Sequence, residues 1–160
     1  MADGGCHVRS NNAENFGIAA RGVWQIARSR PQCAPMIRFL HTRIRVKDLD
    51  RSIDFYQKLG YDLTDRKDSP QGNKLAFLGL EGNDVFLELC HSPDYTATCP
   101  EDLMHTALGV PDIVDYCDGL EQAGLDVWPS AWREKFTTGG RKMAFVTDPD
   151  GYEVEILERA

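Results

Sequence analysis

Apolar and polar positions in the chain switch repeatedly between two periods. Residues 37–46 read as a strand. Asp48 then offers a helix N-cap, and Leu49, Ile53 and Tyr56 recur at i, i+4 and i+7, one face of an α-helix. Gly60 stands where a glycine closes a helix. Short strands are predicted over 61–64, 74–79 and 85–90, the last two separated by the turn Glu81-Gly82-Asn83-Asp84.

The second half repeats this layout. Residues 103–110 predict a strand, Asp112 an N-cap, and Ile113, Cys117 and Leu120 the same helical spacing. Gly124 closes that helix, and strands are predicted over 125–128, 141–147 and 152–158. The offset is 64 residues: His41 matches His105, Val46 matches Val110, Asp48 matches Asp112 and Gly60 matches Gly124. HTRIRVKDL stands against HTALGVPDI, and KLAFL against KMAFV. Such self-similarity signals a duplicated structural unit. Each unit is a strand, a helix and three strands, which is an α+β arrangement with one open sheet face. Two or more units are expected to pair and cover it.

The repeat also duplicates chemistry. A histidine opens the first strand of each unit, His41 and His105, and an acid lies in each last strand, Glu88 and Glu155. The separation is 47 residues in the first unit and 50 in the second. One such residue alone is ordinarily structural or solvated, and Glu88, among Val85, Phe86, Leu87 and Leu89, needs a partner. Two matching His/Glu pairs point instead to a metal site with two imidazoles and two carboxylates. That donor set suits a borderline divalent ion, and four protein ligands leave positions open in an octahedral shell. Such an ion acts as a Lewis acid on neighbouring substrate oxygens, while a carboxylate serves as base. Strand alternation puts His41, Arg43 and Arg45 on one face, so Arg45 is a candidate for a substrate carboxylate or else a solvated strand-edge cation. Cys90 shares the Glu88 face, where a small buried residue is the ordinary reading.

The chain has 160 residues and a formal net charge of -7, which disfavours nucleic acid as a partner. Its five cysteines, Cys6, Cys33, Cys90, Cys99 and Cys117, form no CxxC pair, so a reducing cytoplasmic compartment is expected. No apolar run has the length of a membrane span. Residues 1–35 differ from the rest, with four arginines and only two acids. They are expected to be a disordered tail or sequence upstream of a start at Met36. An organelle presequence is a third reading, because 16–30 can form a basic amphipathic helix. The organised domain is expected over 36–160, with modules at about 36–92 and 101–160. Charges on the outer faces of helices 48–59 and 112–123 read as solvated.

FLHTRIRVKDLDRSIDFYQKLGY, LAFLGL, VFLELCHSPDY, MHTALGV and AFVTDPDGYEVEILE together resemble glyoxalase I (lactoylglutathione lyase) of the vicinal oxygen chelate superfamily, from about Met36 to Arg159. The resemblance implies two tandem βαβββ modules and a homodimer with shared metal sites, His41 and Glu88 from one chain and His105 and Glu155 from the other. It implies isomerisation of the hemithioacetal of methylglyoxal and glutathione to S-D-lactoylglutathione through a metal-stabilised enediolate. Glu155 matches the carboxylate usually given the base role, with Glu88 its symmetry mate, and Arg45 matches an arginine that binds the glutathione carboxylate. A histidine as first ligand is similar to the Ni2+- or Co2+-preferring type, with Zn2+ as the other option. Ser92 stands where the family often has a glutathione-binding asparagine. The loop 130–141 is unusually basic, with Arg133, Lys135 and Arg141 followed by Lys142. It is either a solvated surface or, through Arg141, a contact for an anionic thiol. The alternatives are an acyl-thioester epimerase using the same proton abstraction, and a non-catalytic protein that sequesters a small ligand. The complete four-ligand set disfavours the second.

Overall fold

A computed structural model describes residues 38–96, 99–135, 137–138 and 141–159, without the side chains of 135, 137, 138 and 141. All of these lie in one compact unit, Arg38–Ala160. The expectations for residues 1–35 fall outside the described residues.

The first module runs β1 (His41–Arg45), α1 (Leu49–Lys58), β2 (Asp62–Asp68), β3 (Lys74–Gly79) and β4 (Phe86–His91). The second runs β5 (His105–Val110), α2 (Ile113–Gln122), α3 (Trp132–Lys135), β6 (Thr137–Thr138), β7 (Arg141–Thr147) and β8 (Glu153–Glu158). The sheets have the equivalent orders β1-β4-β3-β2 and β5-β8-β7-β6. This is the predicted α+β pair of modules. In each, the first strand pairs parallel with the last, so the chain between them must cross over, and α1 and α2 lie in those crossovers.

Local sequence sets the helix ends. The Asp48 carboxylate accepts from the Arg51 N–H at 3.0 Å, and Asp112 accepts from the Val114 and Asp115 N–H groups at 3.0 Å each. Gly60 and Gly124 follow the helices at φ 88° and 81°, a left-handed backbone that a Cβ would strain. Helix α1 buries Ile53, Phe55 and Tyr56, and α2 buries Ile113, Cys117 and Leu120, each against its own sheet. Ile44, Val46, Ala76, Leu78, Leu87 and Leu89 form the sheet side of the first core, and Leu108, Val110, Ala144, Val146, Val154 and Ile156 that of the second. The opposite sheet faces therefore carry no helix.

Polar contacts from the DPDG turn join the two modules. Asp148 is buried, and its Oδ1 accepts from the Asp150 and Tyr152 N–H groups at 2.8 Å each. Its Oδ2 accepts from the Tyr56 hydroxyl at 3.2 Å, across to α1. Asp150 accepts from the Lys47 N–H at 3.2 Å. Burial raises the Asp148 pKa and outweighs the hydrogen bonds that stabilise its charge. Asp148→Ala strips partners from two backbone donors and a buried hydroxyl. It is expected to lower the unfolding free energy by about 2–4 kcal/mol, measured by urea denaturation.

One prediction about the second module needs correction. Residues 125–128 do not form a regular strand. Trp128 alone makes an isolated bridge to Phe145. Pro129 follows it and has no N–H to continue a ladder, and the chain turns into α3 instead. The fourth strand of that sheet is β6, further along.

Candidate active site

Each open sheet face holds one His/Glu pair, placed by strand register. In the first module Arg43 lies opposite Glu88 and His41 opposite Phe86. Alternation puts His41, Arg43 and Arg45 on the face away from α1, while Ile44 and Val46 enter the core. The His41 ring stacks on Phe86, centroids 5.4 Å apart, and its Nε2 lies 3.1 Å from Glu88 Oε2. The second module repeats the pair. Ala107 lies opposite Glu155, and His105 Nε2 lies 3.4 Å from Glu155 Oε2. Both imidazoles remain open to solvent, with side chains 41% and 46% exposed.

The pairs differ in one neighbour. Arg43 donates from Nε at 3.0 Å and from Nη2 at 2.7 Å to Glu88 Oε1. The hydrogen bond to Glu88 raises the Arg43 pKa, against a smaller opposing effect of burial. Glu88 is consequently covered, only 2% exposed, yet charge-compensated. At the matching position the second module has Ala107. Among the described residues, Glu155 forms an ion pair with His105 alone. Arg43 was on the predicted face, but only the register sets it against Glu88.

Arg45 and Ser92, both predicted to meet substrate, come together at the end of the first pair's strands. Arg45 Nη2 donates to Ser92 Oγ, and Ser92 Oγ donates to Asn73 Oδ1 at 2.6 Å. The guanidinium also stands over the Tyr95 ring, 5.0 Å from its centroid. The Tyr152 hydroxyl accepts from the Arg45 N–H at 3.3 Å, and burial, followed by a hydrogen bond with Tyr95, pushes its pKa up to about 12. The Arg45 Nε is buried without a partner among the described residues. Sequence reasoning missed Asn73 and Tyr95, which lie in loops that carry no periodic signal.

The basic loop is reassigned in part. Arg133 ion-pairs Asp118 and Glu121 on α2, the latter at 2.7 Å, and stands over the Trp132 ring. It fastens α3 to α2, so Asp118 and Glu121 are fastening groups as well as helix-surface charges. The hydrogen bond from Arg133 lowers the Glu121 pKa. The Arg141 side chain lies outside the described residues. Cys90 is fully buried. A cavity of 690 Å³ opens beside Arg51, Phe55, Lys58 and Trp128, but none of the four candidate ligands lines it.

The donor set fits a divalent ion: imidazole nitrogens and carboxylate oxygens already stand side by side on open faces. Among the described residues no three such side chains gather in one chain. Each module presents one such His/Glu pair.

This topology and this duplicated site define a class, and comparisons with known proteins agree. The Glyoxalase/Bleomycin resistance protein/Dioxygenase superfamily matches residues 38–156. The chain belongs to that superfamily. Its relatives include the lactoylglutathione lyase of Neisseria meningitidis, 40% identical over 131 residues that cover 77% of this chain and 91% of the relative. The lactoylglutathione lyase of Haemophilus influenzae is 38% identical, covering 76% and 93%. The structure of the trypanothione-dependent glyoxalase I of Leishmania major superposes with a TM-score of 0.62 at 35% identity, covering 77% of this chain and 87% of that one.

Proposed function

We propose that this chain is a lactoylglutathione lyase, converting the hemithioacetal of methylglyoxal and glutathione to S-D-lactoylglutathione. The observation that carries the reading is the doubled His/Glu pair, in a chain that matches lyases of this name over nine-tenths of their length. His41, Glu88, His105 and Glu155 would hold one divalent ion per site, Ni2+ or Co2+ by preference and Zn2+ as the alternative. When bound, that ion acts as a Lewis acid that draws charge from two adjacent substrate oxygens.

The chain's own residues supply the remainder. The Glu155 carboxylate takes the proton from the substrate carbon that bears sulfur and hydroxyl. The C–H electron pair becomes the double bond of an enediolate as the neighbouring carbonyl oxygen takes up the charge. The same carboxylate returns the proton to that neighbouring carbon, and the hydroxyl proton of the first carbon passes to the oxygen of the second. The first carbon is then a thioester carbonyl and the second an alcohol, with no net oxidation. Arg45, flanked by Ser92 and Tyr95, binds a carboxylate of the thiol.

A homodimer follows from the same reading. One chain keeps its two pairs apart, and a second copy would complete each set. Phe39, Leu40 and Leu103, 57–66% exposed just before β1 and β5, give such a face apolar surface to bury.

The test is a matrix of metals against thiols on protein stripped by chelator. Stripped protein is expected to be inactive, with Ni2+ or Co2+ restoring thioester formation from methylglyoxal and glutathione beyond Zn2+. The bound ion should number one per His41/Glu88/His105/Glu155 set by elemental analysis. Full activity without any metal would refute the reading.

A further inference from the structure

The two modules end their open faces with an arginine each, but from opposite strands. Arg45 stands four residues after His41, and Ser92 four after Glu88. In the second module the corresponding positions are Gly109, four after His105, and Arg159, four after Glu155. The arginine has changed strands. Where Arg45 faces a serine, Arg159 faces a glycine.

The geometry shows why position 109 is glycine. Its backbone is not in the left-handed region. An added Cβ would instead sit 1.9 Å from Arg159 Cδ and 2.7 Å from Arg159 Cγ. The Arg159 stem thus lies across β5 in the space a side chain would fill. By alternation that space is on the face of His105 and Ala107. The Arg159 N–H is anchored at 2.7 Å to the Val110 carbonyl, which fixes where the stem departs. Arg159 is exposed, and among the described residues it has no ion-pair partner. Four residues of strand put it about 13 Å along the sheet from the His105/Glu155 pair, as far as Arg45 stands from His41.

We propose that Arg159 is a second anion-binding residue of the substrate site, taking an anionic group of the thiol other than the one on Arg45. The proposal rests on the lyase reading above. A site shared between module one of one chain and module two of another holds one Arg45 and one Arg159. It is therefore matched to a thiol with two separated carboxylates, and Gly109 is the residue that keeps the second arginine in place.

The test uses full-length, metal-loaded protein. Arg159→Met should raise KM for the glutathione hemithioacetal about tenfold while kcat stays within about twofold, the size of one lost charge-assisted hydrogen bond. Calorimetry with S-hexylglutathione should show the same loss in Kd. Preference for glutathione over its diethyl ester should shrink by a similar factor, and Arg159→Lys should restore part of it. Gly109→Ala displaces the stem and should raise KM likewise. Added to Arg159→Met, it should do nothing further, the signature of a shared effect. Unchanged KM and Kd in Arg159→Met, with wild-type turnover intact, would overturn this proposal and leave the lyase reading standing. A wild type inactive with every thiol and metal would remove the lyase reading and this proposal together.

Discussion

Replacing Glu155 by glutamine is expected to lower kcat about 10²–10⁴-fold, the usual contribution of a positioned general base. The amide keeps an oxygen that can face a cation but has no lone pair basic enough to take a carbon-bound proton. Metal content should therefore fall little, and elemental analysis beside the kinetics separates the two roles. Glu88→Gln should behave differently. Arg43 holds one oxygen of Glu88 with two hydrogen bonds and leaves the other beside His41, an arrangement suited to the proposed ligand role. Its replacement leaves the Arg43 charge uncompensated, and weaker metal binding should be the leading defect. Glu155 faces Ala107, which has no donor to hold the carboxylate as Arg43 holds Glu88, and this favours Glu155 for the proposed base role. Near-normal kcat in Glu155→Gln, with the large loss in Glu88→Gln, would reverse the assignment.

Trp132→Ala is expected to cost about 3–5 kcal/mol of stability, the range for emptying a buried aromatic site. Trp132 is 1% exposed, although it belongs to a four-residue helix on a connecting segment. A helix that short has no stability of its own, so the buried indole must hold it. The neighbouring Arg133, with its ion pairs to Asp118 and Glu121, is a useful contrast. Those groups are solvent-exposed, and Arg133→Ala should cost far less than Trp132→Ala. Urea denaturation of the two variants compares burial with surface charge directly. A Trp132→Ala loss below about 1 kcal/mol would mean the segment is not anchored through its indole. Against a total stability of about 5–15 kcal/mol, the expected loss is large enough to reduce the folded yield.

Much of this was legible in the order of residues because the relevant rules are local. The caps at Asp48 and Asp112, and the glycines after each helix, act within a few residues of themselves. The helix stripes and strand alternation have short periods, and the 64-residue repeat shows that each local pattern occurs twice. The failure at 125–128 came from a local apolar run whose continuation was blocked by Pro129. The pairing of Arg133 with Asp118 and Glu121 was not legible, because charge says nothing about which acids lie near it in space.

By itself the sequence determined two βαβββ units, the face on which each histidine lies and the candidacy of Glu88 and Glu155. Only the tertiary structure decided which residues stand opposite one another: Arg43 against Glu88, Ala107 against Glu155, and the Arg159 stem over Gly109. The physical reason is that alternation fixes the side of a strand from its own residues. The register between β1 and β4, or β5 and β8, is instead set by pairing across some forty to fifty residues of intervening chain.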